Sequence, residues 1–249
     1  MTAHLAEIWR HPIKGHGREP LGAVTLSPGA TLPWDRAWAV AHEAARLEPG
    51  AWAPCQNFAR GAKAPALMAI SAAFDEGAGR IHLRHPDLPD IAFAPDDPED
   101  AARFIAWAAP LNPPDRARPV RLVRAAQPFT DTDFPSVAIL SLASQRALGA
   151  HMGVVLDVGR WRGNLWLDGL APWEEMAMIG REIAIGPARL RVREPITRCR
   201  ATMANPDTGR IDADTLAALE ALTGAQDFGV YAEVVAGGRI ARGDPLRWI

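Results

Sequence analysis

Two cysteines in 249 residues are too few for a disulfide framework, and neither Cys55 nor Cys199 stands in a CxxC pair. No export signal is read at the N-terminus, where Glu7, Arg10, His11 and Lys14 interrupt any apolar run. The expectation is therefore a cytoplasmic protein with two free thiols. No later apolar stretch has the length to span a bilayer, so no membrane role is expected. Charge of one sign is missing too: 27 Lys and Arg against 29 Asp and Glu leave a formal net charge of −2. That balance gives no global attraction to nucleic acid or anionic lipid, and any bound anion must be held by a local cluster of cations. Also missing are a GxxxxGK[ST] phosphate loop, a GxGxxG helix opening, a GxSxG elbow and an HExxH zinc pair. The seven histidines are scattered. His82 and His85 come closest to ligand spacing, but their strand-like surroundings fit a surface hairpin better than a structural zinc site with four Cys or His ligands.

What is present is an ordinary globular composition, 48% apolar and 22% charged, long enough to bury a core without cross-links. The 22 prolines and 21 glycines are spread throughout, which excludes long helices and favours short strands joined by tight turns. Strands are predicted at Leu5–Arg10, Ala23–Ser27, Arg36–Ala41, Arg80–Arg84, Val120–Arg124, Val137–Leu140, Asn164–Leu167, Arg189–Arg193 and Val230–Val235, with a last one around Leu246–Trp248. Arg189-Leu190-Arg191-Val192-Arg193 alternates most cleanly. Helices are predicted from Pro98 to Ala109, from a Ser141 cap to about Met152, and from Asp212 or Asp214 to a stop at Gly224, with Leu216, Leu219 and Leu222 as core. Pro110, Pro113, Pro114 and Pro119 mark the boundary between two strand-rich halves, and 87–98 reads as a second loop-like stretch. Strand patterns alone support an all-β or α+β class.

Two segments carry chemistry. In Thr197-Arg198-Cys199-Arg200, a thiol flanked by arginines is favoured as thiolate, which is both a nucleophile and a soft metal ligand. The same pattern also fits a small buried thiol on a strand whose arginines point outwards. In Arg160-Trp161-Arg162-Gly163-Asn164, the arginine fork suits phosphate, Gly163 permits close backbone approach, and Asn164 can donate and accept towards a heterocycle. A solvated loop would look alike. Lys14 in HPIKG and Arg36 in WDRAW invite both readings as well.

Taken in order, HPIKG, WDRAW, FPSVAILSLAS, RWRGNLWLDG, PWEE, IGPARLRV, TRCRATMANPDTG, FGVY and GGRIARGDPL resemble the MOSC (molybdenum cofactor sulfurase C-terminal) family with its N-terminal β-barrel partner domain. The resemblance covers nearly the whole chain and is similar to the branch typified by the mitochondrial amidoxime-reducing component. It implies a mostly β (α+β) fold: a β-rich N-terminal domain over 1–111 and a β-barrel MOSC domain over 119–249, with a few short helices. It further implies molybdenum cofactor (molybdenum–molybdopterin) held by Cys199, the metal ligand and catalytic residue, with Lys14, Arg36, Ser141, Arg162, Asn164, Thr197 and Arg198 as cofactor contacts. The implied activity is reduction of N-hydroxylated or N-oxygenated small molecules. No ferredoxin-like domain follows the matched segments, so electrons are expected from a separate ferredoxin- or cytochrome b5-like donor and its reductase. A cofactor carrier or insertion protein, or sulfur transfer through a Cys199 persulfide, is the alternative. Gly15 stands where the family often has Ser, Ile196 where many members have another Cys, and Cys55 has no counterpart in the signature and is read as a core or surface thiol.

Overall fold

The first strand of the chain leaves its own half. In the computed structural model, which describes residues 2–249, His4–Arg10 pairs antiparallel with Leu165–Asp168, and Glu19–Leu21 pairs with its other edge. Both therefore extend the main sheet of the C-terminal half. That sheet runs, in spatial order, Leu246–Trp248, Glu182–Ile185, Ala188–Thr197, Asp227–Ala236, Val137–Ser141, Leu165–Asp168, His4–Arg10 and Glu19–Leu21. The exchange is reciprocal. Pro119–Arg124 joins Trp38–His42 and Ile13–Lys14 in a sheet of the N-terminal half, while Gly238–Ala241 pairs with Ala23–Leu26. A third small sheet, Ser71–Asp75, Arg80–His85 and Leu88–Phe93, is built from consecutive hairpins. The fold is mostly β.

Period-two alternation explains the longest strands. In Ala188–Thr197, Ala188, Leu190 and Val192 are buried while Arg189, Arg191 and Arg193 face out. The outward arginines pair across strands, Arg191 with Glu182 at 2.7 Å and Arg193 with Glu233. One core cluster mixes the two halves: Leu5, Ile8, Leu26 and Leu32 pack with Val137, Leu165, Leu190, Val192, Val230 and Ile240. A second lies within the N-terminal half around Trp38, Phe74, Phe93 and Phe104.

The three predicted helices are present, and the second is capped by Ser141 as expected. Helix α1 (Pro98–Ala108) starts from Asp97, which accepts from the Asp100 amide at 2.9 Å, and stacks Phe104 on Phe93. Helix α2 (Leu142–Met152) starts from Ser141, whose hydroxyl accepts from the Ser144 amide. Helix α3 (Thr215–Thr223) starts from Asp214 and stops at left-handed Gly224. Only Leu219 of its leucines is fully buried; Leu222 is exposed, so that stripe is half core and half surface.

Some expectations are corrected. The strand expected from Arg36 begins at Trp38, because Arg36 occupies the left-handed region at φ 52° in the turn before it. Residues 87–98, expected as loop, contain the strand Leu88–Phe93. The proline-rich 110–119 segment is where the chain passes between halves. It does not separate their sheets, since strands from either side of it pair with the other half.

Candidate functional site

An open cleft of about 230 Å³ runs along the seam between the halves. Ala188–Thr197 leads directly into it: the strand ends at Thr197, and Arg198 and Cys199 lie on its wall before a short 3-10 turn over Arg200–Met203. Cys199 is exposed, and among the described residues its thiol has no hydrogen-bond partner. Its carbonyl is fixed instead, accepting from the amide and the hydroxyl of Thr202, each at 3.1 Å. The thiol is thus presented on a rigid turn, not tucked into the core. Arg200 lies outside the lining and is exposed, so of the two flanking arginines only Arg198 reaches the cleft.

Arg198 is anchored by backbone alone. It donates to the Phe228 carbonyl from Nε at 2.7 Å and also from Nη2, and to the Trp161 carbonyl from Nη1 at 2.9 Å. Its guanidinium lies over the Trp161 and Phe228 rings, themselves stacked at 4.0 Å. Arg162 is held the same way, donating to the carbonyls of Gly17 at 3.0 Å and Ile13 at 3.3 Å. Neither guanidinium has a carboxylate bonded to it. Burial pushes Arg162 down to about 9, with neighbouring Arg36 adding to the effect, and burial pushes Arg198 down to about 10. Two half-buried cations thus stand in the cleft wall with no carboxylate bonded to either.

Arg36 and Arg162 interlock across the seam. Both adopt left-handed backbone, at φ 52° and 50°, and Arg36 donates to the Arg162 carbonyl at 2.9 Å. Non-glycine residues held there cost on the order of 1–3 kcal/mol and persist where the surroundings over-determine them. The over-determination at Arg36 is visible. Asp35 pairs with it and accepts from the His11 amide at 2.7 Å, and Arg36 together with these bonds keeps the Asp35 carboxyl well below the usual range despite its burial. His11 itself, buried and near Arg162, is pushed down to about 3 and stays neutral.

Lys14 lies in the short strand Ile13–Lys14 of the N-terminal half. Its ammonium donates to the Phe129 carbonyl at 2.8 Å and to Asp131 at 2.5 Å. Burial lowers the Lys14 pKa, partly offset by Asp131; burial raises that of Asp131, but Lys14 and Arg36 outweigh it and hold the carboxyl below its ordinary value. Thr197 reaches the rim and donates to Asp227 at 2.6 Å. Of the residues expected at the site, Lys14, Arg36, Arg162, Thr197, Arg198 and Cys199 all line this one cleft.

Ser141 and Asn164 do not line it. Ser141 is fully buried as the α2 cap. Asn164 is buried between strands, its Oδ1 accepting from the Ala138 amide at 3.0 Å and its Nδ2 donating to the Trp9 carbonyl at 3.2 Å. Gly163 also serves packing: a Cβ there would stand 2.1 Å from Leu140 Cδ1. The sequence reading missed Cys55, Arg60, Asp131, Arg160, Trp161 and Tyr231, all of which line the cleft. Arg160 and Trp161 lay inside the segment that drew attention, but only Arg162 and Asn164 were selected from it. Both Arg160 Nε and Trp161 Nε1 are buried donors without a partner. The Tyr231 hydroxyl stays protonated, because burial, reinforced by Asp131, raises its pKa.

Six cations and one carboxylate among the lining side chains suit an anionic ligand with further acceptors for the unpaired donors. No group of three or more His, Cys, Asp or Glu side chains among the described residues could by itself hold a metal. A metal bound at Cys199 therefore has to bring its remaining ligands with it.

Comparison with known proteins gives two family matches. Residues 2–111 match the MOSC N-terminal β-barrel domain and residues 127–247 the MOSC domain. A molybdenum cofactor sulfurase from Drosophila grimshawi is 28% identical over 133 residues, 53% of this chain but only 16% of that protein, so the chain spans about a sixth of that relative's length. Among solved structures, the YuaD protein from Bacillus subtilis superposes with a TM-score of 0.50 at 14% identity, covering 99% of this chain and 94% of the other. That likeness concerns the fold. YiiM from Geobacillus stearothermophilus gives a TM-score of 0.36 at 21% identity, covering 45% of this chain and 53% of the other.

Proposed function

Because the chain belongs to the family of proteins that join a MOSC N-terminal β-barrel domain to a MOSC domain, we propose that its cleft binds molybdenum cofactor and serves the reduction of N-hydroxylated or N-oxygenated compounds. MOSC domains are associated with molybdenum cofactor. The carrying observation is the pair Arg162 and Arg198, two half-buried guanidiniums with backbone carbonyls for partners and no bonded carboxylate. A phosphate-bearing pterin would supply the missing negative charge, and its heteroatoms would accept from Trp161 Nε1 and Arg160 Nε.

Cys199 would be the protein's sulfur ligand to molybdenum, presented by the turn that Thr202 pins. When bound, the cofactor supplies two-electron oxygen-transfer chemistry at the metal. Lys14 and Arg36 would hold the cofactor from the N-terminal half, with Asp131 fixing the Lys14 ammonium and remaining ionised to accept pterin N–H groups. Tyr231, protonated at neutral pH, offers its hydroxyl as a donor beside Cys199. Electrons would come from a separate donor protein.

Purification from a cofactor-competent host, with molybdenum and pterin quantified, tests this reading. Wild type is expected to carry both near stoichiometry and Cys199→Ala to lose most of the metal. Wild type carrying neither refutes cofactor binding, and full occupancy in the variant removes Cys199 from the coordination shell. Loaded protein that fails to reduce an N-hydroxylated amidine with a chemical electron donor is a carrier, not a reductase.

A further inference from the structure

Arg60 differs from every other arginine in the cleft. Arg36 is paired with Asp35, Arg160 is bidentate to Asp212 at 2.7 and 2.9 Å, and Arg162 and Arg198 are each held by two or more bonds to backbone carbonyls. Arg60 makes one contact among the described residues: its Nη1 donates to Cys55 Sγ at 2.7 Å. A thiol sulfur is a weak acceptor, and a guanidinium carries five N–H donors, so most of the Arg60 fork is uncommitted.

Its position is fixed by close backbone packing on two sides. Gly15, at φ 75°, lies so near that a Cβ would stand 2.8 Å from the Ala59 carbonyl oxygen and 3.1 Å from Arg60 Cα. On the other side a Cβ on Gly61 would meet Met68 Sδ at 2.5 Å and Ala201 Cβ at 3.3 Å. Arg60 thus sits between the Lys14 segment and the turn that follows Cys199, and Ala62, Met68 and Ala201 give its surroundings an apolar wall. A free planar fork over an apolar wall is the chemistry that recognises a carboxylate attached to a hydrophobic body.

We propose that Arg60, with the Cys55 thiol beside it, is the substrate-side anion anchor of the cleft and selects small apolar carboxylates over their neutral counterparts. The inference rests on the cleft being a cofactor-dependent reaction site, but its test reads binding directly. Full-length protein of known molybdenum content is titrated with benzoate and with benzamide, its neutral counterpart. Benzoate is expected to bind about tenfold tighter or more, as a charge-assisted fork–carboxylate contact allows. Benzoate, and not benzamide, is also expected to slow alkylation of Cys55 by iodoacetamide, mapped by peptide mass. Arg60→Met should erase both effects while leaving molybdenum content and the urea midpoint unchanged, and Arg60→Lys should restore part of the preference. Equal affinity for the two probes, no protection of Cys55, or loss of molybdenum in Arg60→Met would each overturn the assignment. Absence of molybdenum in wild type with the benzoate preference intact would instead defeat the cofactor reading and leave the anion site standing.

Discussion

Replacing Asn164 with Ala separates a cofactor contact from a structural clamp. The side chain joins two strands at a buried point: Ala138 donates its amide to Oδ1 at 3.0 Å, and Nδ2 donates to the Trp9 carbonyl at 3.2 Å. The Asn164 main chain bridges the same two neighbours, donating to the Ala138 carbonyl at 3.0 Å and accepting from the Trp9 amide at 2.7 Å. Truncation leaves a buried N–H and a buried C=O without these partners, at about 1–3 kcal/mol each, so the expected loss is about 2–6 kcal/mol. For a chain of this size each kcal/mol moves Tm by about 2–4 °C, giving a drop of roughly 4–24 °C. Urea and thermal melts measure it. At a temperature where the variant is still folded, bound molybdenum per folded molecule should match wild type, because Asn164 does not line the cleft. A variant that melts like wild type yet loses the cofactor would refute the assignment.

Cys199→Ala, for all its effect on metal content, should change apo stability by no more than about 0.5 kcal/mol, since the side chain is exposed; a larger shift in the urea midpoint would mean the thiol is a packing element. Acidification should destabilise the fold between about pH 6.5 and 4. His11 and His16, both pushed down by burial, to about 3 and about 4, stay neutral in the folded chain while the unfolded chain binds their protons below 6.5. The expected slope is up to about 1.4 kcal/mol per pH unit for each histidine, with nothing lost above 6.5, and His16→Gln should remove one share. An unchanged slope in that variant would contradict the argument. Gly209→Ala should destabilise by at least about 1–3 kcal/mol, because a Cβ there, at φ 67°, would stand 2.6 Å from Ala66 Cα and 2.9 Å from its carbonyl oxygen. A native-like melt would show that the Asn205–Gly209 turn does not bear on the N-terminal half.

Local rules carried far along this sequence. Alternation at Arg189–Arg193, the Pro98 start of the first helix, the Ser141 cap and the Asp212–Asp214 start of the third helix are decided by neighbours within a few residues, and those elements form where expected. Long-range pairing left no such mark. Nothing in Leu5–Arg10 announces that its partner is Leu165–Asp168, so the sharing of strands between halves could not be read. At the site, the order of motifs brought six of the eight expected residues to one cleft. Asn164 lies outside the cleft lining, and an amide that clamps two strands looks identical in sequence to one that reads a heterocycle. Cys55 was read as a core or surface thiol and Arg60 was passed over, because the cleft that both share with Cys199 is a product of the seam.

The strand exchange sets the order of assembly. His4–Arg10 is synthesised about 160 residues before the segment that will cover its edge. At roughly 5–20 residues per second, it waits on the order of ten to thirty seconds on the ribosome. Until Leu165–Asp168 arrives, Leu5 and Ile8 have no permanent cover. A nascent chain arrested before residue 165 should accordingly be a client for chaperones, and the cleft is among the last features of the molecule to come into being.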